Sequence, residues 1–429
     1  MIFRDAIRAL KFDKPRTFFY WLTFFLTTLF IFLFFNILFS NPKGAEYLTG
    51  GTDMLATGII ITVVIICLAC IQNANDFYVR SKGKDIAVRM VCGATFNQVT
   101  GFLLVQTMII MITSIPVGIL CGMGGISLLN FAFRDMHDVI NVISVSPQAL
   151  LMIFIILMMV VIWSTMINLS FTYTNAAFSM MSNDGTYTTK EGGQFGGLLS
   201  KIPHVVRQIF YLALFIIPLI LIFTKDVSSL AMSILGLLGL NGIVEDVVSR
   251  NITKSMNDTQ LNFAPTVAGG GFLRKDLRVT KGIMILFIAC AVIQISILSQ
   301  RQDVPYDQLL FTFSYVSMNI LLPLTIMFRL STDQSRRRKH FRVLYQIGFL
   351  EKDLRRITIE ELVRLYLIIG ILTLLYVGVI LLSIVSKGMM SVKMMVSLIL
   401  FLIIPLLICM VVNIVMYQKA VLKNMTKPL

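Results

Sequence analysis

The chain has 429 residues, of which 57% are hydrophobic and 14% charged, with a mean hydropathy of +0.84. A soluble domain carries roughly 25% charged residues, so this composition excludes an ordinary soluble domain and points to an all-α integral membrane protein. The net charge of +15 does not indicate a nucleic-acid binder, because it is spread over several polar segments and no recognition motif accompanies it.

The first stretch, Met1 to Arg16, is basic and amphipathic. The apolar run after it continues to about Phe39. That is too long for a signal-peptide core of roughly 7–15 residues, so it reads as a retained first span. A spanning helix needs about 20 mostly apolar residues. Runs of that kind cover Thr17–Phe39, Met54–Asp76, Phe102–Leu129, Gln148–Phe171, Gln208–Thr224, Ser228–Val244, Gly282–Gln300, Gln308–Phe328, Ile359–Val385 and Met394–Tyr417. They predict ten transmembrane helices, or eight if the 208–244 pair does not span. Ser228–Val244 is short and interrupted by Gly236, Gly239 and Gly242, which suggests a re-entrant or interfacial segment.

Alternating ten spans from a cytoplasmic N-terminus places all but Lys43, Arg134, Lys225, Arg301, Lys387 and Lys393 of the 37 Lys and Arg residues inside. The positive-inside rule favours that arrangement, with both termini cytoplasmic. Removing one of the weak helices would invert everything downstream. The outside loops are short; the largest is Asn130–Pro147. Inside, Thr172–Arg207 is polar and glycine-rich, and Glu245–Lys281 ends in a basic amphipathic lead-in, Phe272 to Arg278, that echoes Phe3 to Arg8. Both suit helices lying at the inner interface ahead of a span.

One layout occurs twice. Arg80 to Val99 reads as a short basic helix, a turn at Gly93-Ala94 and the start of the next helix, and Arg336 to Leu354 repeats it. Placing Gly93 on Gly348 sets Lys84 on Lys339, Val88 on Val343, Val99 on Leu354 and Gln106 on Glu361. The expected organisation is a first four-helix repeat over 1–171, a linker with the weak helix pair over 172–271 and a second repeat over 272–429, related by an axis along the membrane normal. Glycine closes such a helix cheaply in the left-handed conformation. The outer charges and apolar residues of each elbow can then seat in a partner's groove. A single copy is better explained as a solvated basic loop that only orients the chain; two copies in the same helical context weaken that account.

Little else carries chemistry. The chain has no P-loop, no H-E-x-x-H and no G-x-S-x-G. His137, His204 and His340 fall in different loops, and Cys67 and Cys70 form a C-x-x-C only within an apolar run, where packing is the expected role. The spans lack the mid-membrane charges that ion-coupled carriers use as relays.

At the elbows the chain resembles the FtsX-like permease family of ABC transporters, which includes MacB-like and bacitracin-resistance (Bce-type) permeases. The resemblance rests on Arg80, Lys82 and Lys84 to Arg89, then Gly93-Ala94-Thr95 and Gln98-Val99, with Gln106 where the family has Glu; the second copy reads Leu344 to Phe349, Lys352 to Arg356 and Glu361. Ten spans and two such units resemble the Bce-type layout, and so does Arg8-Ala9-Leu10 to Lys14-Pro15-Arg16. The large outside domain of that type is replaced here by Arg301 to Asp307.

The resemblance implies a non-enzymatic subunit of the bacterial plasma membrane, partnered by two copies of a cytoplasmic ABC ATPase that bind ATP and Mg, with no cofactor in this chain and no nucleic acid. Its expected work is export or clearance of a hydrophobic or amphipathic peptide, antimicrobial or signalling. The alternatives are lipid or lipoprotein extraction and a non-transporting force-transmitting scaffold. The ATPase-coupling candidates are Arg80, Lys82, Lys84, Asp85, Arg89, Gly93, Arg336, Arg337, Arg338, Lys339, Arg342 and Gly348. Candidate cargo contacts at the outer rim are Asp53, Arg134, Asp135, His137, Asp138, Arg301, Asp303 and Asp307. Charge reversal at Arg80, Lys84 and Arg89, or at Arg336 to Lys339, is expected to uncouple ATP hydrolysis from cargo movement, measured as transported cargo per ATP.

Overall fold

The computed structural model describes residues 2–12, 14–40, 54–132, 142–174, 204–224, 229–248, 251–252, 264–300, 305–332 and 334–421. These are helical apart from short connections, and no strand occurs among them. In chain order the helices are α1 (Ile2–Phe12), α2 (Lys14–Ser40), α3 (Met54–Ser81), α4 (Gly83–Val91), α5 (Phe96–Ala132), α6 (Pro147–Thr174), α7 (His204–Leu221), α8 (Ser229–Gly242), α9 (Ala264–Gln300), α10 (Pro305–Thr332), α11 (Gln334–Gln346), α12 (Glu351–Ser386) and α13 (Val392–Val421). Among the described residues nine helices are long and apolar enough to cross a membrane; the helical stretch Val206–Leu221 is apolar but shorter. The chain divides into two compact units. The first holds α1–α6 and α10, the second α7–α9 and α11–α13.

The first unit is built on α2, which packs against α3, α5, α6 and α10. In its C-terminal half α5 approaches α2 through small residues. A Cβ added to Gly122 would lie 2.4 Å from the Phe32 ring, and one on Gly118 3.1 Å from the Phe25 carbonyl oxygen. Such close approach lets dispersion hold helices together where lipid supplies no hydrophobic drive. Near the N-terminal end of α2 the contact is aromatic. Tyr20 stacks on Tyr78 with centroids 4.7 Å apart, and Phe328 of α10 meets Phe19, Tyr20 and Phe77 at 6.3 to 6.4 Å. The Arg329 guanidinium lies 4.5 Å from the Phe77 centroid. These rings seat α10 in the first unit, so compact unit and sequence repeat divide the chain differently. At the C-terminal ends of α2 and α5, Asn36 accepts the Ser146 N–H at 2.9 Å and Asn130 brackets the Ile143 N–H and carbonyl, which pins the entry to α6.

In the second unit α9 packs along α12, α12 on α13, and α8 on both α7 and α9. Gly236, Gly239 and Gly242, expected to interrupt a helix, instead lie inside a continuous one and form its packing edge. Added Cβ atoms there would fall 2.7 Å from the Tyr376 hydroxyl, 2.5 Å from the Phe215 amide nitrogen and 2.2 Å from the Tyr211 ring. The Tyr376 hydroxyl donates to the Ser233 carbonyl, and Ser383 Oγ donates to the Ile222 carbonyl at 3.0 Å. A wider π-helical turn, Ile243–Val248, extends α8. It carries Asp246, which accepts from Arg207 of α7 at 2.7 Å, and Glu245, which meets Lys281 of α9 at 2.7 Å. The weak pair read as a connector is thus held together by Gly239, Gly242 and the Arg207–Asp246 pair, and fastened to α12 and α9 by Gly236, the Tyr376 and Ser383 hydroxyls and the Glu245–Lys281 pair.

Gly239→Ala would press a methyl on the α7 backbone, which cannot rotate away, and is expected to cost about 1–3 kcal/mol. Gly282→Ala, where nothing lies within 4 Å, should be neutral or stabilising. Thermal unfolding of the two variants in detergent checks both.

Candidate functional site

In the first elbow α3 ends at Ser81, α4 runs as nine residues, and α5 begins at Phe96. Gly93 takes φ +92°. Its N–H donates to the Met90 carbonyl and the Ala94 N–H reaches back to the Arg89 carbonyl, both at 3.0 Å. This pair of bonds satisfies carbonyls that a helix end leaves open. Gln98 Oε1 accepts the Thr95 N–H at 3.1 Å and Thr95 Oγ1 accepts the Gln98 N–H at 3.4 Å, a reciprocal cap that starts α5.

The second elbow repeats the geometry. Gly348 has φ +109°, its N–H donates to the Tyr345 carbonyl, and the Phe349 N–H reaches the Leu344 carbonyl, both at 3.1 Å. Asp353 Oδ2 accepts the Leu350 N–H at 3.3 Å, doing half of what Gln98 and Thr95 do together.

Each elbow has a buried anchor and an exposed tip. Ile86 and Ala87 of α4 pack with Ala6 of α1, Val99, Phe102 and Leu103 of α5, and Phe171. Phe341 of α11 is fully buried, 5.7 Å from the Phe272 ring in the lead-in of α9. The two amphipathic lead-ins therefore serve as the beds on which the elbows rest. Two residues further along, Val88 is 53% exposed and Val343 52%. The exposed apolar surface continues through Val91 and Phe96 in the first elbow and through Tyr345, Ile347 and Leu350 in the second.

The charged candidates divide. Arg80 Nε bonds both carboxylate oxygens of Asp76 at 2.9 Å, one turn back on α3. Lys82 is only 3% exposed, its Nζ 5.9 Å from the Tyr78 centroid and 3.9 Å from Asp85. It braces the turn, whereas Asp85 is exposed. Arg89 lies 3.9 Å from the Phe102 centroid, and Arg342 is half-buried. Lys84 and Arg336, Arg337, Arg338 and Lys339 fall within α4 and α11, but their side chains lie outside the described residues.

Of the rim candidates, Asp53, Arg134, Asp135, His137, Asp138, Arg301 and Asp303 lie outside the described residues. Asp307 is not a solvated loop charge. It sits in the first turn of α10 and is 1% exposed, where a carboxylate complements the free N–H groups of a helix start.

Sequence reasoning passed over a polar cluster between the first elbow and the spans. Tyr20 donates to Asn75 Oδ1 at 2.8 Å, Asn75 Nδ2 donates to Asn168 Oδ1 at 3.0 Å, and Tyr20 Oη lies 3.4 Å from Thr107 Oγ1. The Tyr78 hydroxyl donates to Gln106 Oε1 at 3.2 Å. All these residues are buried, and together they tie α2, α3, α5 and α6. The available signal was an Asn near the C-terminal end of two apolar runs. Gln106 and its counterpart Glu361 are both buried, at 0% and 1% exposure. Among the described residues no group of three or more His, Cys, Asp or Glu side chains is placed to hold a metal ion, and the cysteines are free thiols.

Residues 57–175 match the family model described as FtsX-like permease C-terminal. That stretch is similar to an FtsX-like permease domain. It runs from α3 through the first elbow to the end of α6; the second elbow lies outside it. No curated protein matches the chain. The match and the membrane-length helices support a multi-pass ABC permease. Permeases of this family are membrane components, not catalytic ones, and generally work with a cytoplasmic ABC ATPase.

Gly93→Ala and Gly348→Ala would each force a side chain into a left-handed conformation, at about 1–2 kcal/mol. Nothing lies within 4 Å of either added Cβ, so the loss should be conformational. It should appear as a lowered unfolding temperature for each variant, without the larger drop that a steric clash brings.

Proposed function

We propose that the chain is the membrane subunit of an ATP-driven transporter of the bacterial plasma membrane, built from two FtsX-like repeats. Its elbows receive two copies of a separate cytoplasmic ABC ATPase, which bind ATP and Mg. The supporting observation is the pair of elbows: the same glycine turn, the same buried anchor and the same half-exposed valine in both, one of them inside the matched stretch. A helix anchored at one residue and bare two residues later can pass a push into the spans without folding away from it.

The cargo in this reading is a hydrophobic or amphipathic peptide, exported or cleared from the membrane. The support is compositional. The spans expose long apolar faces on α6 and α13, and among the described residues these two helices carry no Asp, Glu, Lys, Arg or His at mid-span. Lipid or lipoprotein extraction uses the same surfaces. A non-transporting scaffold does not need cargo movement at all.

The tagged chain is expected to co-purify with an ABC ATPase whose hydrolysis it stimulates. Val88→Asp together with Val343→Asp should abolish that stimulation at least about tenfold, since a carboxylate at the centre of an apolar contact is left unpaired on docking. Both positions are exposed, so the fold should be retained. Full stimulation by the double variant would remove the elbow assignment, and ATP-driven accumulation of a peptide in proteoliposomes would separate transporter from scaffold.

A further inference from the structure

A notch of about 210 Å3 opens between α3 and α6, which pack against each other in the first unit. Both helices are long and apolar enough to span a membrane. Three aliphatic side chains and Trp163, which is 52% exposed, form the apolar walls. Gln72, Asn75 and Ser164 supply the polar part, and among the described residues no ionisable side chain lines it. Gln72 is exposed, nine residues before the end of α3, and Ser164 lies ten residues before the end of α6. Both are therefore about 14–15 Å in from the helix ends.

The notch holds more polar capacity than the fold uses. Ser164 is 5% exposed, and among the described residues its Oγ has no hydrogen-bond partner. The Tyr20 hydroxyl is near enough to interact with it but gives its own proton to Asn75, so the acceptor side of Ser164 stays open. One turn further along α6, Asn168 accepts from Asn75 through Oδ1 and leaves Nδ2 unpaired. An unanswered buried polar atom costs free energy, and lipid tails offer the exposed Gln72 carboxamide no hydrogen bond. Packing alone explains neither.

We infer that this notch is a contact site for peptide cargo and takes one peptide bond of an apolar or amphipathic segment. The inference rests on the peptide reading above. The volume is below the roughly 300–1,000 Å3 of a pocket for a whole drug-sized ligand, so the occupant is a group on a longer chain. A charged group would lose its water there and find no counter-charge, so the group is neutral. A carboxamide and a hydroxyl both donate and accept. A peptide bond answers both functions with its N–H and C=O. A lipid ester only accepts, and would leave the Gln72 carbonyl unanswered. Trp163 alongside suits an apolar side chain next to the bond.

The test uses the full chain in nanodiscs with Trp21→Phe, which keeps a ring beside Phe18 and Phe25 and leaves Trp163 as the one tryptophan. The probe is an apolar peptide of about 20 residues, enough to span, bearing a nitroxide quencher. Trp163 emission should fall saturably as the peptide is added. Gln72→Leu and Ser164→Ala should each raise the dissociation constant about three- to tenfold. Neither should lower the unfolding temperature, since one removes an exposed polar group from an apolar surface and the other a buried hydroxyl with an open acceptor side. The same peptide with its central amides replaced by esters should bind at least about threefold more weakly. Nitroxide-labelled phospholipid should quench in proportion to its amount, without saturation.

Peptide quenching that does not saturate, or that is equal in the parent and both variants, would overturn the site. Equal binding of amide and ester peptides, or saturable quenching by the phospholipid, would overturn the choice of a peptide bond. Lost binding with a lowered unfolding temperature would make Gln72 and Ser164 structural and overturn the site as well. ATP-driven accumulation of the same peptide in proteoliposomes with the co-purifying ATPase separates the two readings. Accumulation equal in parent and variants would remove the site and keep the peptide reading. No accumulation by the parent would remove the peptide reading, and this inference with it.

Discussion

The turn at each elbow depends on one glycine held at positive φ. At +92° and +109° the peptide after it swings back, so that the N–H of Ala94 or Phe349 reaches a carbonyl five residues earlier. The helix end is thereby closed, and the chain leaves in a new direction within three or four residues. Everything else at the elbow follows from that closure. A short helix frays unless its ends are satisfied. With them satisfied, a single buried side chain, Ile86 or Phe341, is enough to fix its face. Only then do Val88 and Val343 have a defined direction in which to be exposed.

The elbows were legible in the sequence because their cause is local. A glycine after a short amphipathic run specifies its own turn, and the register between copies follows from spacing. Other features were legible only in part. The apolar runs Phe102–Leu129 and Ile359–Val385 are the cores of helices that begin six and eight residues earlier, at Phe96 and Glu351, because polar first turns cap a helix without adding hydropathy. Gly236, Gly239 and Gly242 read as interruptions because propensity penalises glycine in a helix. The helices they face, Tyr211 to Phe215 and Tyr376, are distant in sequence and turn that penalty into contact. The inner polar cluster was hidden for a similar reason: Tyr20, Asn75, Asn168 and Thr107 come together from four separate helices.

The place of α10 was the least legible feature. Order along the chain assigns it to the second repeat. Ring contacts of Phe328 with Phe19, Tyr20 and Phe77, and of Phe313 with Phe30, assign it to the first compact unit. No hydropathy pattern carries that information, since aromatic residues are apolar wherever they pack. The consequence is one of connectivity. The chain passes from α10, seated in the first unit, into α11, the second elbow, in the other. Under the proposed function, a push received by the second elbow is delivered by the chain itself to a helix fixed among α2 and α3.

The helices that leave the elbows differ as well. At 1.5 Å per residue, α5 with 37 residues and α12 with 36 are each about 55 Å long, against a hydrocarbon core of about 30 Å. Each therefore joins its elbow to the span as one continuous rod. The rods differ in stiffness. Helix α5 contains Pro116, which removes a backbone hydrogen bond and crowds the preceding turn, just before the seam of Gly118, Gly122 and Gly125. Helix α12 has no proline, and its buried face runs without a break from Leu354 to Ile384. A bend in α5 is absorbed at Pro116, where the small residues beyond it let α2 stay in contact. Difference between the two halves is thus present in the surface each elbow exposes, in the rod behind it and in the helices against which that rod packs, although the two turns themselves are alike.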